Sequence, residues 1–114
     1  MVVCKEGRIE YVGRRRKLAK DVFLEMTPDG YVSPGFVDIH VHGGGGADYM
    51  DATVDAIRTA NHAHARHGTT TVFPTTTSGA PAEIAAMIDS VSVFYRNWVP
   101  ADGARIGGVH LYGP

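Results

Sequence analysis

From residue 36 onward the sequence alternates between short β-branched runs and stretches of helix length, and that alternation limits the fold more than any other feature. The β runs are Phe36 to His42, Thr69 to Pro74 and Arg105 to Tyr112. Between the first two lies a helical segment, Val54 to His67, with Ala56, Ile57, Ala60, Ala63 and His64 near one stripe. Asp51-Ala52-Thr53 can cap its start, and Gly68 stands where a closing glycine belongs. A second helical segment, Pro81 to Trp98, carries Ile84, Met87, Ile88, Val91, Phe94 and Tyr95 at helical spacing, with Ser78 or a neighbour as its cap. Those side chains read as core, not as a cofactor-binding stripe. Strands joined through helices pair in parallel with right-handed crossovers, so a β-α-β-α-β unit is expected. Its strand ends converge on one side, where β/α proteins place their chemistry.

The first β run ends in a distinctive way: Pro34-Gly35-Phe36-Val37-Asp38-Ile39-His40-Val41-His42, then Gly43 to Gly46. Alternation puts Phe36, Asp38, His40 and His42 on one face, and Val37, Ile39 and Val41 on an apolar face suited to burial under helices. Same-face neighbours lie roughly 6–7 Å apart along a strand. Two imidazoles can span that gap and meet one ion at about 2.0–2.1 Å each. The glycines are expected to form a flexible loop that leaves room for the ion and its substrate. By itself a His-x-His pair on an exposed antiparallel strand is only a polar face. Here the β-branched opposite face, the Pro-Gly entry and the glycine exit favour His40 and His42 as metal ligands.

The other polar residues divide by position. His110 and Tyr112 share a face at the end of the third run and are expected to line the site. His62 and His64 point about 200° apart on a helix and cannot chelate one ion together, and His67 sits in the last turn, so all three are assigned structural or surface roles. Two roles stay open for Asp38, orienting a ligand or making a buried structural hydrogen bond. Asp48 and Asp51 read as turn and cap residues.

The first third is all β. Residues 2–12 suggest a hairpin turning at Gly7, Asp21 to Met26 a further strand, Thr27-Pro28-Asp29-Gly30 a turn, and Tyr31-Val32 an extended run. These strands are too few to close a filled core of their own. At 114 residues with a net charge of −1, the chain has no electrostatic case for nucleic acid or an anionic membrane surface. The basic run Arg14-Arg15-Arg16-Lys17 reads as a solvated turn. One cysteine, Cys4, excludes an internal disulfide and fits a reducing compartment. No apolar run approaches the roughly 20 residues of a membrane span, and no signal-peptide pattern opens the chain, so a cytoplasmic protein is expected.

Tyr31 to Gly43 closely resembles the first barrel strand of the amidohydrolase superfamily. His67 to Thr75 and Gly108 to Pro114 narrow the resemblance to N-acetylglucosamine-6-phosphate deacetylases. The resemblance implies an α/β fold: a partial (β/α)₈ barrel, its first three strands and two helices, over residues 34–114, preceded by part of a small β-sandwich over residues 1–33. It implies hydrolysis of the acetamide of N-acetylglucosamine 6-phosphate with a divalent metal, zinc or iron. The metal polarises the carbonyl and acidifies water while a carboxylate passes the proton to the leaving amine. It further implies a small-molecule amino-sugar phosphate as partner and a homo-oligomeric full-length protein.

Two departures stand out. Where the resemblance leads one to expect a metal-binding glutamate after His110-Leu111, this chain has Tyr112. A phenol with a reference pKa near 10 is a poor hard-metal ligand, so a hydrogen bond to water or to the acetamide is the alternative role. A full barrel also needs about 250 residues. No catalytic residue is therefore expected within the 114 residues; these and the further ligands are expected downstream of Pro114, and the isolated chain is expected to be inactive. The competing readings are another amidohydrolase, dihydroorotase-like or adenine-deaminase-like, and a non-catalytic truncated relic.

Overall fold

Two short strands open the first of two compact units, Met1–Pro34: β1 (Val2–Lys5) and β2 (Arg8–Val12) pair antiparallel. Their turn residues Glu6 and Gly7 have φ of 51° and 73°. Positive φ at both central positions matches the twist of a two-residue hairpin. The N-terminal ammonium closes the hairpin by donating to the Gly13 carbonyl at 2.6 Å. The computed structural model describes residues 1–14, 17 and 30–113. The strand expected over Asp21 to Met26, its following turn up to Asp29, and Arg15 and Arg16 of the basic run lie outside the described residues. Tyr31 and Val32 are exposed and belong to no strand.

The second unit, Gly35–Pro114, begins with β3 (Phe36–Val41) and a hairpin of β4 (Gly43–Gly44) with β5 (Ala47–Asp48). A 3-10 turn (Tyr49–Asp51) leads to helix α1 (Val54–Ala65), then β6 (Thr69–Pro74) and helix α2 (Pro81–Asn97). A second 3-10 turn (Pro100–Asp102) precedes β7 (Arg105–Ile106). The sheet order is β3-β6-β7 with both pairings parallel, a mixed α/β arrangement. No described helix is long and apolar enough to cross a membrane.

Local signals explain most element ends. Thr53 caps α1, its Oγ1 accepting the Ala56 N–H at 3.1 Å. Asp48 and Asp51 cap the first 3-10 turn reciprocally, Asp48 Oδ1 taking the Met50 N–H and Asp51 Oδ2 the Asp48 N–H. The cap of α2 is Ala80 rather than Ser78: Pro81 fills the first turn, and Glu83 reaches back to the Ala80 N–H at 2.8 Å. Helix α1 stops at Ala65, because the last turn tightens to His67 N–H on His64 O and Gly68 N–H on Ala65 O, with Gly68 at φ 92°.

Under the sheet lies a core of Val41, Ile57, Val72, Met87, Phe94 and Ile106 with their neighbours. Burying a side chain such as Ile57, fully enclosed, contributes about 1.5–3 kcal/mol. A polar thread crosses this core. The Tyr49 hydroxyl donates to Asn61 Oδ1 at 2.8 Å, and Asn61 Nδ2 donates to the Ala104 carbonyl at 2.7 Å. Burial, with a smaller contribution from the Asp38 charge, pushes the Tyr49 phenol above its ordinary value. Tyr95 is the member of the α2 stripe that stays exposed.

Three expectations are corrected. The glycine run is a tight hairpin, not a loose loop: Gly45 and Gly46 turn it at φ 65° and 89°. It lies so close to α1 that a Cβ on Gly45 would stand 3.3 Å from Ala63. His64 fastens it, Nε2–H donating to the Gly43 carbonyl at 2.9 Å. The third strand is shorter than expected, because Gly107 and Gly108 interrupt it to admit the Phe73 ring, 2.6 Å from where a Gly107 Cβ would be. After the Gly107 N–H on Val72 O at 2.9 Å, pairing resumes at the Thr75–His110 bridge, just past the end of β6.

The third correction concerns β3. Asp38 pairs with Val72 and Val41 with Pro74, so three steps on β3 meet two on β6 and one residue at Ile39–His40 is extra. This bulge breaks the alternation. Asp38 falls on the covered face with Val72, and so does Val41, whereas Val37 and Ile39 stay 59% and 66% exposed. The apolar face expected under helices is thus reduced to Val41, and Asp38 does not share a face with His40 and His42.

Candidate metal centre

Past the bulge, His40 and His42 stand two residues apart and turn to the same side at the C-terminal end of β3. Their Nε2 atoms stand 3.1 Å apart. Two nitrogens held at about 2.0–2.1 Å on one tetrahedral ion are separated by roughly 3.3 Å. Without an ion the contact is one N–H···N hydrogen bond, with one ring donating and the other accepting. His40 sits at the middle of four rings: centroids lie 5.0 Å away for His42, 4.9 Å for His110 and 5.1 Å for Tyr112, all edge-on. His42 and Tyr112 are 6.1 Å apart.

Backbone carbonyls set the tautomers. His42 Nδ1 faces the Thr75 carbonyl at 3.2 Å, and His110 Nδ1 faces the Ile39 carbonyl at 2.7 Å. A carbonyl only accepts, so each Nδ1 carries the proton and each Nε2 keeps its lone pair. That is the state in which imidazole binds a metal.

Two buried threonines clamp the strand ends. Thr75 Oγ1 takes the Val41 N–H at 2.9 Å and donates to Phe73 O at 3.0 Å, while Thr75 N–H reaches Val41 O at 2.8 Å. Thr76 Oγ1 takes the Tyr112 N–H at 2.9 Å and donates to Tyr112 O at 3.0 Å. The run of four hydroxyl side chains, Thr75 to Ser78, was the available signal.

Two imidazole nitrogens suit a borderline cation and would be two of the four ligands of a tetrahedral site. Among the described residues, no group of three or more His, Cys, Asp and Glu side chains is placed to hold an ion. Asp38 does not reach the rings; its Oδ1 accepts the His40 backbone N–H at 3.1 Å. His62 and His67 are exposed and His64 holds the glycine hairpin, so none of the three joins the cluster. A groove of about 490 Å³ lined by Tyr95, Trp98, Arg105 and Ile106 contains none of the four rings.

Residues 31–101 match the amidohydrolase family. The chain belongs to that family. It is 32% identical over 115 residues to N-acetylglucosamine-6-phosphate deacetylase of Bacillus subtilis, covering 96% of this chain and 28% of that protein. Identity to the Vibrio furnissii enzyme of the same name is 41% over 81 residues, 71% of this chain and 20% of the relative. The crystal structure of N-acetylglucosamine-6-phosphate deacetylase from Thermotoga maritima superposes on 99% of this chain with a TM-score of 0.73 and 31% identity, using 27% of its own length. The chain therefore spans between a fifth and just over a quarter of the family members it matches here.

Proposed function

We propose that this chain is the N-terminal part of a metal-dependent hydrolase that deacetylates N-acetylglucosamine 6-phosphate, giving glucosamine 6-phosphate and acetate. The observation that carries the reading is the His40–His42 pair, with Nε2 atoms 3.1 Å apart at the end of a parallel strand. The resemblance to enzymes of that name supports the substrate. In this reading residues 34–114 are the first three strands and two helices of a (β/α)₈ barrel, and residues 1–33 belong to a small β-sandwich. Further ligands, the proton-transferring carboxylate and the sugar-phosphate contacts are assigned downstream of Pro114. The free thiol of Cys4 fits a cytoplasmic setting, and a homo-oligomer is part of the same reading.

A divalent ion, zinc or iron, supplies Lewis acidity for the carbonyl and for water when bound. His40 and His42 would hold it through Nε2. The Thr75 carbonyl keeps His42 in the ligating tautomer, and the Thr75 hydroxyl ties β3 to β6 so that the two rings stay aligned. Tyr112 flanks both rings with its backbone fixed by Thr76, which leaves its phenol to hydrogen-bond the acetamide.

The test is made on the full-length protein. Wild type should purify with metal by elemental analysis and release acetate from N-acetylglucosamine 6-phosphate. His40→Ala with His42→Ala should lose both. Unchanged metal content in the double variant rejects the reading. A second reading, a metal-binding chain without hydrolase activity, is favoured by Tyr112 at the position of an expected carboxylate. It predicts metal without acetate release.

A further inference from the structure

The bulge in β3 leaves backbone groups to be held, and two side chains hold them. Asp38 Oδ1 accepts the His40 N–H at 3.1 Å, and His110 Nδ1–H donates to the Ile39 carbonyl at 2.7 Å. Opposite Val41 the partner strand offers Pro74, which has no N–H to give. His110 thus reaches from the far side of β6 across to the peptide that joins Ile39 to His40. Its ring also packs edge-on against His40, centroids 4.9 Å apart. His110 itself is anchored: its backbone N–H donates to Pro74 O at 3.0 Å, and its carbonyl accepts the Thr76 N–H at 3.1 Å.

We propose that His110 is a positioning residue for the metal pair: its Nδ1–H clamps the Ile39 carbonyl and its ring braces His40, so that His40 Nε2 stays aimed at the ion. His110 acts through His40 and is not itself a ligand. The inference rests on His40 and His42 as the ligands.

Asparagine and leucine separate the possibilities. An asparagine amide N–H falls close to the position of an imidazole Nδ1–H, so His110→Asn keeps the clamp and deletes Nε2. His110→Leu deletes both. In the full-length chain, cobalt(II) titration by visible absorption and zinc competition with a chelator should show His110→Leu binding about 10–100-fold more weakly, with His110→Asn recovering most of that loss. Equal losses in both variants would overturn the proposal, because the clamp that asparagine retains would then contribute nothing. Wild-type affinity in His110→Leu would also overturn it. If the leucine variant does not fold, nitrogen-15 spectra of wild-type imidazoles decide: zinc should move the Nε2 signals of His40 and His42 and leave that of His110 in place. A His110 Nε2 that moves with them sinks the proposal. Unweakened metal binding in His40→Ala with His42→Ala would instead sink the underlying ligand assignment, and so tells the two failures apart.

Discussion

The covered side of the β3-β6-β7 sheet and the open end of the same sheet are held by different forces. Under the helices, Val41, Val72 and Ile106 keep 7%, 0% and 4% of their surface, and apolar contact decides the arrangement. At the open end, threonine hydroxyls, an imidazole and a carboxylate satisfy individual backbone groups. Dispersion and apolar burial are non-directional and tolerate small shifts. Hydrogen bonds have preferred lengths and angles, so they can fix where a ring nitrogen points. The difference teaches that this chain gains stability on one side of its sheet and fixed ring geometry at the other.

The comparison can be broken or sharpened by substitution. On the covered side, Ile57→Ala should cost about 2–5 kcal/mol in urea unfolding of the full-length protein, since Ile57 is fully enclosed. A loss under about 0.5 kcal/mol, the range of surface changes, would mean that burial does not hold this face. The exposed Val37 and Ile39 lead to a different expectation. The isolated 114-residue chain should self-associate, because β3 and β7 end the described sheet and both side chains lie open. Val37→Ser with Ile39→Ser should move its sedimentation toward monomer, and a wild-type chain that is already monomeric with a sharp two-state melt would contradict this.

The smallest expected effect lies away from both regions, at the Arg58–Asp102 pair. Arg58 Nε donates to Asp102 Oδ1 at 2.9 Å and the Val99 N–H to Oδ2 at 3.0 Å. These bonds, the Arg58 one first, hold the Asp102 carboxyl below the usual carboxylate range. A depressed folded-state pKa contributes stability above the unfolded value, about 3.9, and that contribution fades as pH falls through the folded value. Asp102→Asn should therefore flatten the acid limb of urea midpoints below about pH 4. An unchanged acid limb would show the pair to be screened out.

Much of this was legible from residue pattern. The Thr53 cap, the Gly68 stop and the β-branched runs are local signals, and they mark α1, β6 and the parallel order. The His-x-His pair was visible for the same reason, as was His110 beside Tyr112. What could not be seen was contact-dependent. Gly44 packs close on His64 and Ala63, and Gly43 on the backbone of Ala47 and Asp48, which spacing cannot distinguish from a loose loop. Thr75 and Thr76 open a run of hydroxyl residues of the kind found in loops, yet both are buried, and their hydroxyls are the fasteners of the strand ends.

The amino-acid order by itself determined which segments become strands and helices and that two imidazoles arrive together at a strand end, because periodicity and capping act within a few residues. Only the tertiary structure decided which way the residues from Asp38 to Val41 face. That choice depends on Pro74 and Thr75, some 34 residues away from Val41, one lacking the N–H a regular ladder would use and the other supplying a hydroxyl oxygen that accepts the Val41 N–H.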